Sequence, residues 1–266
     1  MRISFIGGGV MGEAMIKSLL AKKVVTSADI AVSDVSQSLR DVLSKRYSVS
    51  TTANNREATD GADVVILAVK PQDLGKVLSG IKGLLPQQLV LSIVAGATLD
   101  SLQQGLAHPC LVRAMPNMPA QIGEGMTVWT TSAEVSQQQK ELAQSILSAL
   151  GEEIYVGSEK YIDMATALSG SGPAYVFLII EALVDAGVHI GLPRDIAEQL
   201  IIETMLGSTR AVKVTGKHPA ELRNMVTSPG GTTTEGLLQL ESHGLRSLLL
   251  QAVIAAYDKA RDLGAR

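Results

Sequence analysis

The sequence predicts an α/β domain built on a mostly parallel, doubly wound sheet, followed by an all-α region. Three observations carry this prediction. Short β-branched runs alternate with helical segments through the first half, the β pattern stops after about Tyr155, and nearly every later segment has helical spacing.

The strand candidates in order are RISFI (2–6), DIAVS (29–33), VVILAV (64–69), LVLSIV (89–94), LVRAM (111–115) and MTVWT (126–130). Most are flanked by turn residues. MGEAMIKSLLAK (11–22), SQSLRDVLSKR (36–46) and PQDLGKVLSGI (71–81) lie between them with apolar residues three and four apart, as in amphipathic helices. Strands alternating with helices imply βαβ units. VVILAV is apolar throughout, as a central strand covered on both faces has to be.

From Tyr161 the chain reads as helices: IDMATALSG (162–170), PAYVFLIIEALVDAG (173–187), RDIAEQLIIETMLGSTRAVKV (194–214), HPAELRNMV (218–226) and LRSLLLQAVIAAYDKARDLG (245–264). The domain boundary is placed near Gly157–Lys160, giving 1–157 and 158–266. YVFLIIEALV is apolar around most of its circumference, so it is either central or covered by another chain. A homodimer through the helical half is the preferred reading, with a higher oligomer of such dimers as its extension.

Hydrophobic residues make up 46% and charged residues 18%, which supports a sizeable core and excludes general disorder. Aromatic residues are only 3%, so that core is aliphatic. A net charge of −3 without a basic run argues against a nucleic-acid partner. Cys110 is the only cysteine, which rules out an intramolecular disulfide and fits a reducing cytoplasm. MRISFIGGG lacks the layout of a signal peptide, and AYVFLIIEALV (174–184), interrupted by Glu181, reads as too short to span a bilayer. His108, His189, His218 and His243 have no metal-ligand spacing, and no metal is expected. His108 and His218 each precede a proline, so both are expected in surface turns.

FIGGGVMG places Gly7, Gly9 and Gly12 in G-x-G-x-x-G spacing directly after a strand and at the opening of a helix. This is the Rossmann dinucleotide fingerprint: Gly7 for a tight turn, Gly9 for backbone approach to a pyrophosphate, Gly12 for close helix–sheet packing. The helix start then offers N–H groups to the phosphates. An acidic residue at the end of the second strand selects NAD through the ribose 2′-hydroxyl. DIAVSDV puts Ser33 and Asp34 there. Asp34 facing the ribose favours NADH; Ser33 facing it, with Asp34 turned away, leaves room for a 2′-phosphate. AVKPQD follows a strand at its carboxyl end, where Lys70 meets either a phosphate or solvent.

SPGGTTTEGL (228–237) contains no His, Cys or Lys to serve as an obvious base or nucleophile, and its Glu235 reads as a helix-start capping acid. It reads as a loop, then hydroxyl caps, then a helix. LSGSGPAYVF (168–177) has the same character, with Pro173 as the first helical residue. Both are candidate helix N-termini with free N–H donors for a carboxylate.

MRISFIGGGVMG, AVKP, RAMPNMP, ALSGSGPAYVF and HPAELRNMVTSPGGTTTEGL, in that order, resemble the pyrroline-5-carboxylate reductase family across essentially the whole chain. The resemblance implies reduction of the C=N bond of Δ1-pyrroline-5-carboxylate to L-proline, the final step of proline synthesis. It also implies a Rossmann domain followed by an all-helical dimerisation domain, with the active site between the cofactor domain and the helices of the paired subunits. By similarity Ser228, Gly230, Gly231, Thr232 and Thr233 hold the substrate carboxylate, with the Thr233 hydroxyl near the ring nitrogen. The same resemblance puts cofactor contacts at Ile6, Gly7, Gly8, Gly9, Val10, Met11 and Gly12. Further contacts follow at Ser33 with Asp34, at Asn55, and at Ala68, Val69, Lys70 and Pro71. NADPH is the family's cofactor, and Asp34 brings NADH into contention. Met118 stands where the family usually has Thr, so any hydroxyl contact there is lost. Two other readings stay open: a β-hydroxyacid dehydrogenase using Lys160 or Lys213, and a dinucleotide-binding redox sensor without turnover.

Overall fold

The computed structural model describes residues 1–264. Eight strands form one sheet: β1 (Ile3–Ile6), β2 (Ile30–Ser33), β3 (Ser50–Thr52), β4 (Val64–Leu67), β5 (Leu89–Ser92), β6 (Leu111–Met115), β7 (Gly125–Thr131) and β8 (Gly151–Tyr155). Their order is β3-β2-β1-β4-β5-β6-β7-β8. Every pairing is parallel except β6 with β7. The first six strands therefore have the doubly wound Rossmann order, and the winding reverses between β1 and β4.

Alternate side chains of each central strand enter two separate cores. Ile3, Phe5, Val64, Ile66, Leu89 and Leu91 face one core; Ile6, Val65, Leu67 and Val90 face the other. The first core is closed by α1 (Val10–Ala21), α2 (Gln37–Tyr47) and α6 (Gln137–Ser148) through Met15, Leu19, Leu43, Ile146 and Leu147. The second is closed by α3 (Asn55–Thr59), α4 (Leu74–Gly80) and α5 (Leu99–Leu106) through Ala58, Val77, Leu78, Leu102 and Leu106. VVILAV is a strand over Val64–Leu67 with all four residues fully buried. Each such side chain contributes about 1.5–3 kcal/mol by leaving water.

The remaining helices are α7 (Lys160–Ala165), α8 (Gly172–His189), α9 (Arg194–Thr215), α10 (Pro219–Met225), α11 (Thr232–Ser242) and α12 (Leu245–Gly264). Contacts divide the chain into two compact units, Met1–Pro173 with the segment from Ala255 onward, and Ala174–Ile254.

Several sequence expectations are corrected. β3 and β8 escape the strand pattern because β3 has three residues and β8, GEEIY, is a charged and half-exposed strand. α5 and α6 are also new; their first turns, LDSL and QQQK, dilute the apolar spacing. SGSGP is not a loop before a new helix. Thr166–Gly170 is a π-turn within one helical run from Lys160 to His189, closed by Ser171 N–H to the Thr166 carbonyl at 2.8 Å. Because the run continues through that turn, it is long and apolar enough to cross a membrane by length and composition, contrary to the shorter reading of AYVFLIIEALV. His108 is not on the surface: it is 3% exposed, and its Nε2–H donates to the Gln88 carbonyl at 2.7 Å.

One polar cluster inside the first unit is buried at its centre. The Arg113 side chain on β6 is 3% exposed and donates to Glu159 Oε1 and Asp163 Oδ1, each at 2.7 Å. Glu159 Oε1 also accepts the Leu99 N–H at 2.7 Å. A single guanidinium thus ties the sheet, the start of α5 and α7 together. Removing it leaves two carboxylates facing each other without a counter-charge. Arg113→Met is expected to destabilise the protein by about 3 kcal/mol. Urea unfolding would measure this, and a loss below about 0.5 kcal/mol, the range of an ordinary surface substitution, would show the cluster to be dispensable.

Candidate active site

The carboxyl ends of β1, β2 and β4 open into a cleft of about 1010 Å³. This is the switch point of the sheet, where doubly wound folds place their ligands. A smaller hollow of about 130 Å³, by Arg2, Asp29 and Asp60, lies at the opposite, amino end of the strands. Ile6, Gly7, Gly9, Ser33, Asp34, Asn55, Ala68, Val69 and Lys70 line the large cleft. Gly8, Val10, Met11, Gly12 and Pro71 stand outside that lining. Gly8 underlies the loop, Val10 to Gly12 form the first turn of α1, and Pro71 opens a 3₁₀ turn.

Backbone packing explains the glycines. Gly7 has φ +99°, and a Cβ there would meet the Ala68 carbonyl oxygen at 2.6 Å. A Cβ on Gly12 would meet the Gly7 carbonyl oxygen at 2.5 Å. At Gly9 nothing lies within 4 Å, so its open face is the one a ligand can approach. Gly9 is also the N-cap of α1 and has no side-chain cap. The first of its successors to bond back is Glu13, whose N–H donates to the Gly9 carbonyl at 2.8 Å. Among the described residues the N–H groups of Val10, Met11 and Gly12 have no backbone acceptor. Free amides and the positive end of the helix dipole suit a pyrophosphate. The residues present therefore fit a dinucleotide.

At the end of β2, Asp34 Oδ2 accepts the Gly8 N–H and Oδ1 accepts the Ser36 N–H, each at 2.9 Å. Ser33 is fully buried and donates its hydroxyl to Asn55 Oδ1 at 2.7 Å. Sequence reading did not single out Arg40, which holds the Asp34 carbonyl at 2.5 Å. A basic residue six positions after the acid is the signal that was available. Lys160, the alternative acid/base, lies with its ammonium 5.2 Å from the centre of the Tyr161 ring.

The second unit carries the SPGGTTT segment. Gly230 has φ +66°, and the Gly231 N–H donates to the Ser228 carbonyl at 3.0 Å, closing a tight turn before α11. A Cβ on Gly231 would meet Ser228 Oγ at 2.4 Å. The expected hydroxyl caps are not formed. Gly231 is the N-cap and no side chain caps the helix. The third threonine, Thr234, turns back and donates to the Ser228 carbonyl at 2.7 Å, a closing role not legible in the repeat of three. Thr234 N–H bonds to the Gly231 carbonyl, whereas those of Thr232 and Thr233 have no backbone acceptor among the described residues. Thr232 is exposed and Thr233 half-buried.

Within the first unit, Asn117 Nδ2 donates to the Ser169 carbonyl at 3.0 Å and Asn117 Oδ1 accepts the Met126 N–H at 2.8 Å. The neighbouring Met118 is 47% exposed. RAMPN thus fixes the π-turn, a role that sequence reading did not assign to Asn117.

Fold, glycine loop and uncapped helix start together define a nicotinamide-dinucleotide oxidoreductase of two parts. Residues 2–96 match the family described as NADP oxidoreductase, coenzyme F420-dependent, and residues 159–263 match pyrroline-5-carboxylate reductase dimerisation. Over 99% of its length the chain is 44% identical to the pyrroline-5-carboxylate reductase of Synechocystis sp., covering 98% of that protein. A solved pyrroline-5-carboxylate reductase from Coxiella burnetii is similar at a TM-score of 0.90 and 40% identity, covering 98% of either chain. Plasmodium falciparum pyrroline carboxylate reductase, solved with NADP bound, is similar at 0.91 and 32%, covering 99% of this chain and 98% of that one. The chain belongs to the pyrroline-5-carboxylate reductase family.

Gly9→Ala separates folding from binding. Its backbone, φ −61°, suits alanine, and the new methyl meets no protein atom. The variant is expected to keep the wild-type melting temperature while NAD(P)H binding, followed by fluorescence titration, weakens by about tenfold or more, a loss near 1.4 kcal/mol. Unchanged binding would mean that the open face of Gly9 is not where the phosphates lie.

Proposed function

We infer that this chain reduces the C=N bond of Δ1-pyrroline-5-carboxylate with NAD(P)H, giving L-proline. The observation that carries this reading is similarity running through the dinucleotide cleft and the helical part at once, over 99% of the chain. A β-hydroxyacid dehydrogenase or a sensor without turnover gives no role to the uncapped start of α11.

NAD(P)H held in the cleft would supply a hydride, and the imine would take it at carbon with a proton at nitrogen to become the secondary amine. A cyclic imine can carry that proton already as an iminium ion, so the protein's work is chiefly to hold and orient. We assign the substrate carboxylate to Ser228, Gly230, Gly231, Thr232 and Thr233. The free N–H groups of Thr232 and Thr233 support this, because an uncapped helix start binds a carboxylate without lysine or arginine. The Thr234–Ser228 bond keeps the turn in the shape that exposes those amides. The Thr233 hydroxyl is assigned to the ring nitrogen, where it orients the imine and helps supply the proton. We assign the dinucleotide to Ile6 through Gly12, Ser33, Asp34, Asn55 and Ala68 through Pro71.

For function the division we propose is 1–157 for the dinucleotide and 158–266 for substrate and dimerisation. A homodimer fits the apolar surface of α8, where Phe177 is 50% and Leu178 65% exposed. A soluble enzyme of the cytoplasm fits the single, buried thiol of Cys110.

The test is loss of reduced-nicotinamide absorbance on adding the imine. Oxidation that depends on Δ1-pyrroline-5-carboxylate is expected with at least one cofactor. Its absence with both, in protein shown to bind them, would overturn the assignment. In the same assay Thr233→Ala is expected to lower kcat by about 10²-fold, within the range for proton transfer by a positioned group, with NAD(P)H binding unchanged. Turnover equal to the parent's would remove Thr233 from the mechanism.

A further inference from the structure

NADH and NADPH differ at one point, the 2′-position of the adenosine ribose, which carries a hydroxyl in one and a phosphate in the other. The end of β2 faces that choice, and its two candidate side chains are differently engaged. Ser33 is fully buried with its hydroxyl on Asn55. Asp34 lines the cleft with each carboxylate oxygen accepting one main-chain N–H, from Gly8 and Ser36. Each oxygen keeps a further lone pair, which a ribose hydroxyl can use as donor.

The surroundings offer a phosphate little. Among the described residues Asp34 has no ion-pair partner. Arg40 donates to the Asp34 carbonyl and to Gln37 Oε1. Arg56, also in the cleft wall, donates to the carbonyls of Lys82 and Gly83. Lys70 and Lys76 enter the cleft from the β4–α4 side, across β1 from β2. Val35, directly after the acid, is 93% exposed and apolar. A 2′-phosphate would bring acceptor oxygens and negative charge against a carboxylate that is itself only an acceptor. Swinging Asp34 aside would unpair the Gly8 N–H beneath the glycine loop.

We propose that Asp34 determines cofactor specificity and makes this chain select NADH over NADPH. The same carboxylate that reads the ribose diol also holds the glycine loop through Gly8, so selectivity and loop geometry depend on one side chain. The proposal rests on the dinucleotide-binding part of the reading above.

The experiment measures dissociation constants of NADH and NADPH on the full chain without imine, by fluorescence. Calorimetry with ADP and adenosine 2′,5′-bisphosphate gives the same comparison without the nicotinamide. Wild type is expected to bind the unphosphorylated member about tenfold tighter or more. Asp34→Asn keeps an acceptor for the Gly8 N–H and removes the charge, so the ratio should fall to about one or reverse. Asp34→Ser, a second variant should the first fold poorly, is expected to move the ratio the same way. A wild type that binds both equally, or NADPH tighter, overturns the proposal, as does a ratio unchanged in the variants. Binding that discriminates without imine-dependent turnover would strike the function reading and leave the proposal standing. Turnover with a ratio near one would strike the proposal alone.

Discussion

Three backbone segments approach one another at the carboxyl end of β1 more closely than any side chain permits, and the first unit is organised around that approach. Gly7 lies against the Ala68 carbonyl, and Gly12 lies against Gly7. Helix α1 can therefore sit directly on the switch between β1 and β4, and among the described residues the N–H groups of its first turn find no backbone acceptor. Close packing and exposed main-chain donors are here one feature, because the glycines that remove the side chains also uncover N–H groups of the kind that suit an anion. The reach of Asp34 to Gly8 extends the same device to the next strand and fixes a carboxylate beside it.

The second unit repeats the device with different residues. Helices α2, α3, α5 and α6 begin with side-chain caps from Ser36, Asn54, Thr98 and Ser136, each worth about 1 kcal/mol. Helices α1 and α11 begin instead after Gly9 and Gly231, with no side-chain cap. Lack of a cap alone is not the mark, since α9 follows Pro193 uncapped as well. What sets α1 and α11 apart is a glycine at the N-cap within a glycine-rich turn, where the main chain itself presents the donors. At α11 the Thr234 hydroxyl reaches back to the Ser228 carbonyl, and among the described residues the Thr232 and Thr233 N–H groups have no backbone acceptor.

The sequence reveals what depends on local pattern and conceals what depends on the neighbour. VVILAV declares a central strand because both its faces are buried, and FIGGGVMG declares its turn because only glycine fits there. β8 is hidden because it is a half-exposed edge strand whose two adjacent glutamates interrupt the apolar pattern on both faces, with Glu153 taken up by Trp129 and Gln144. The buried state of His108 is hidden because its partner is the main-chain carbonyl of Gln88, twenty residues away. The π-turn is concealed for a related reason. Ser and Gly signal a break, yet here the chain widens by one residue and continues, with Ser169 held from outside by Asn117. Caps inferred from TTT fail in the same way, since hydroxyl composition says nothing about which acceptor each hydroxyl finds.

The proposed chemistry accounts for a candidate substrate loop almost without titratable side chains. An imine that can arrive protonated needs no strong base or nucleophile, and a carboxylate needs only donors fixed in space. Amides at a helix start satisfy that need at every pH, since they neither titrate nor change charge. Arginine or lysine would grip the carboxylate more strongly, but such a cation would also repel the proton on the iminium nitrogen a few bonds away. Neutral main-chain donors avoid that conflict. A glycine-rich turn with threonines and without His, Cys or Lys is thus consistent with the substrate role proposed for it.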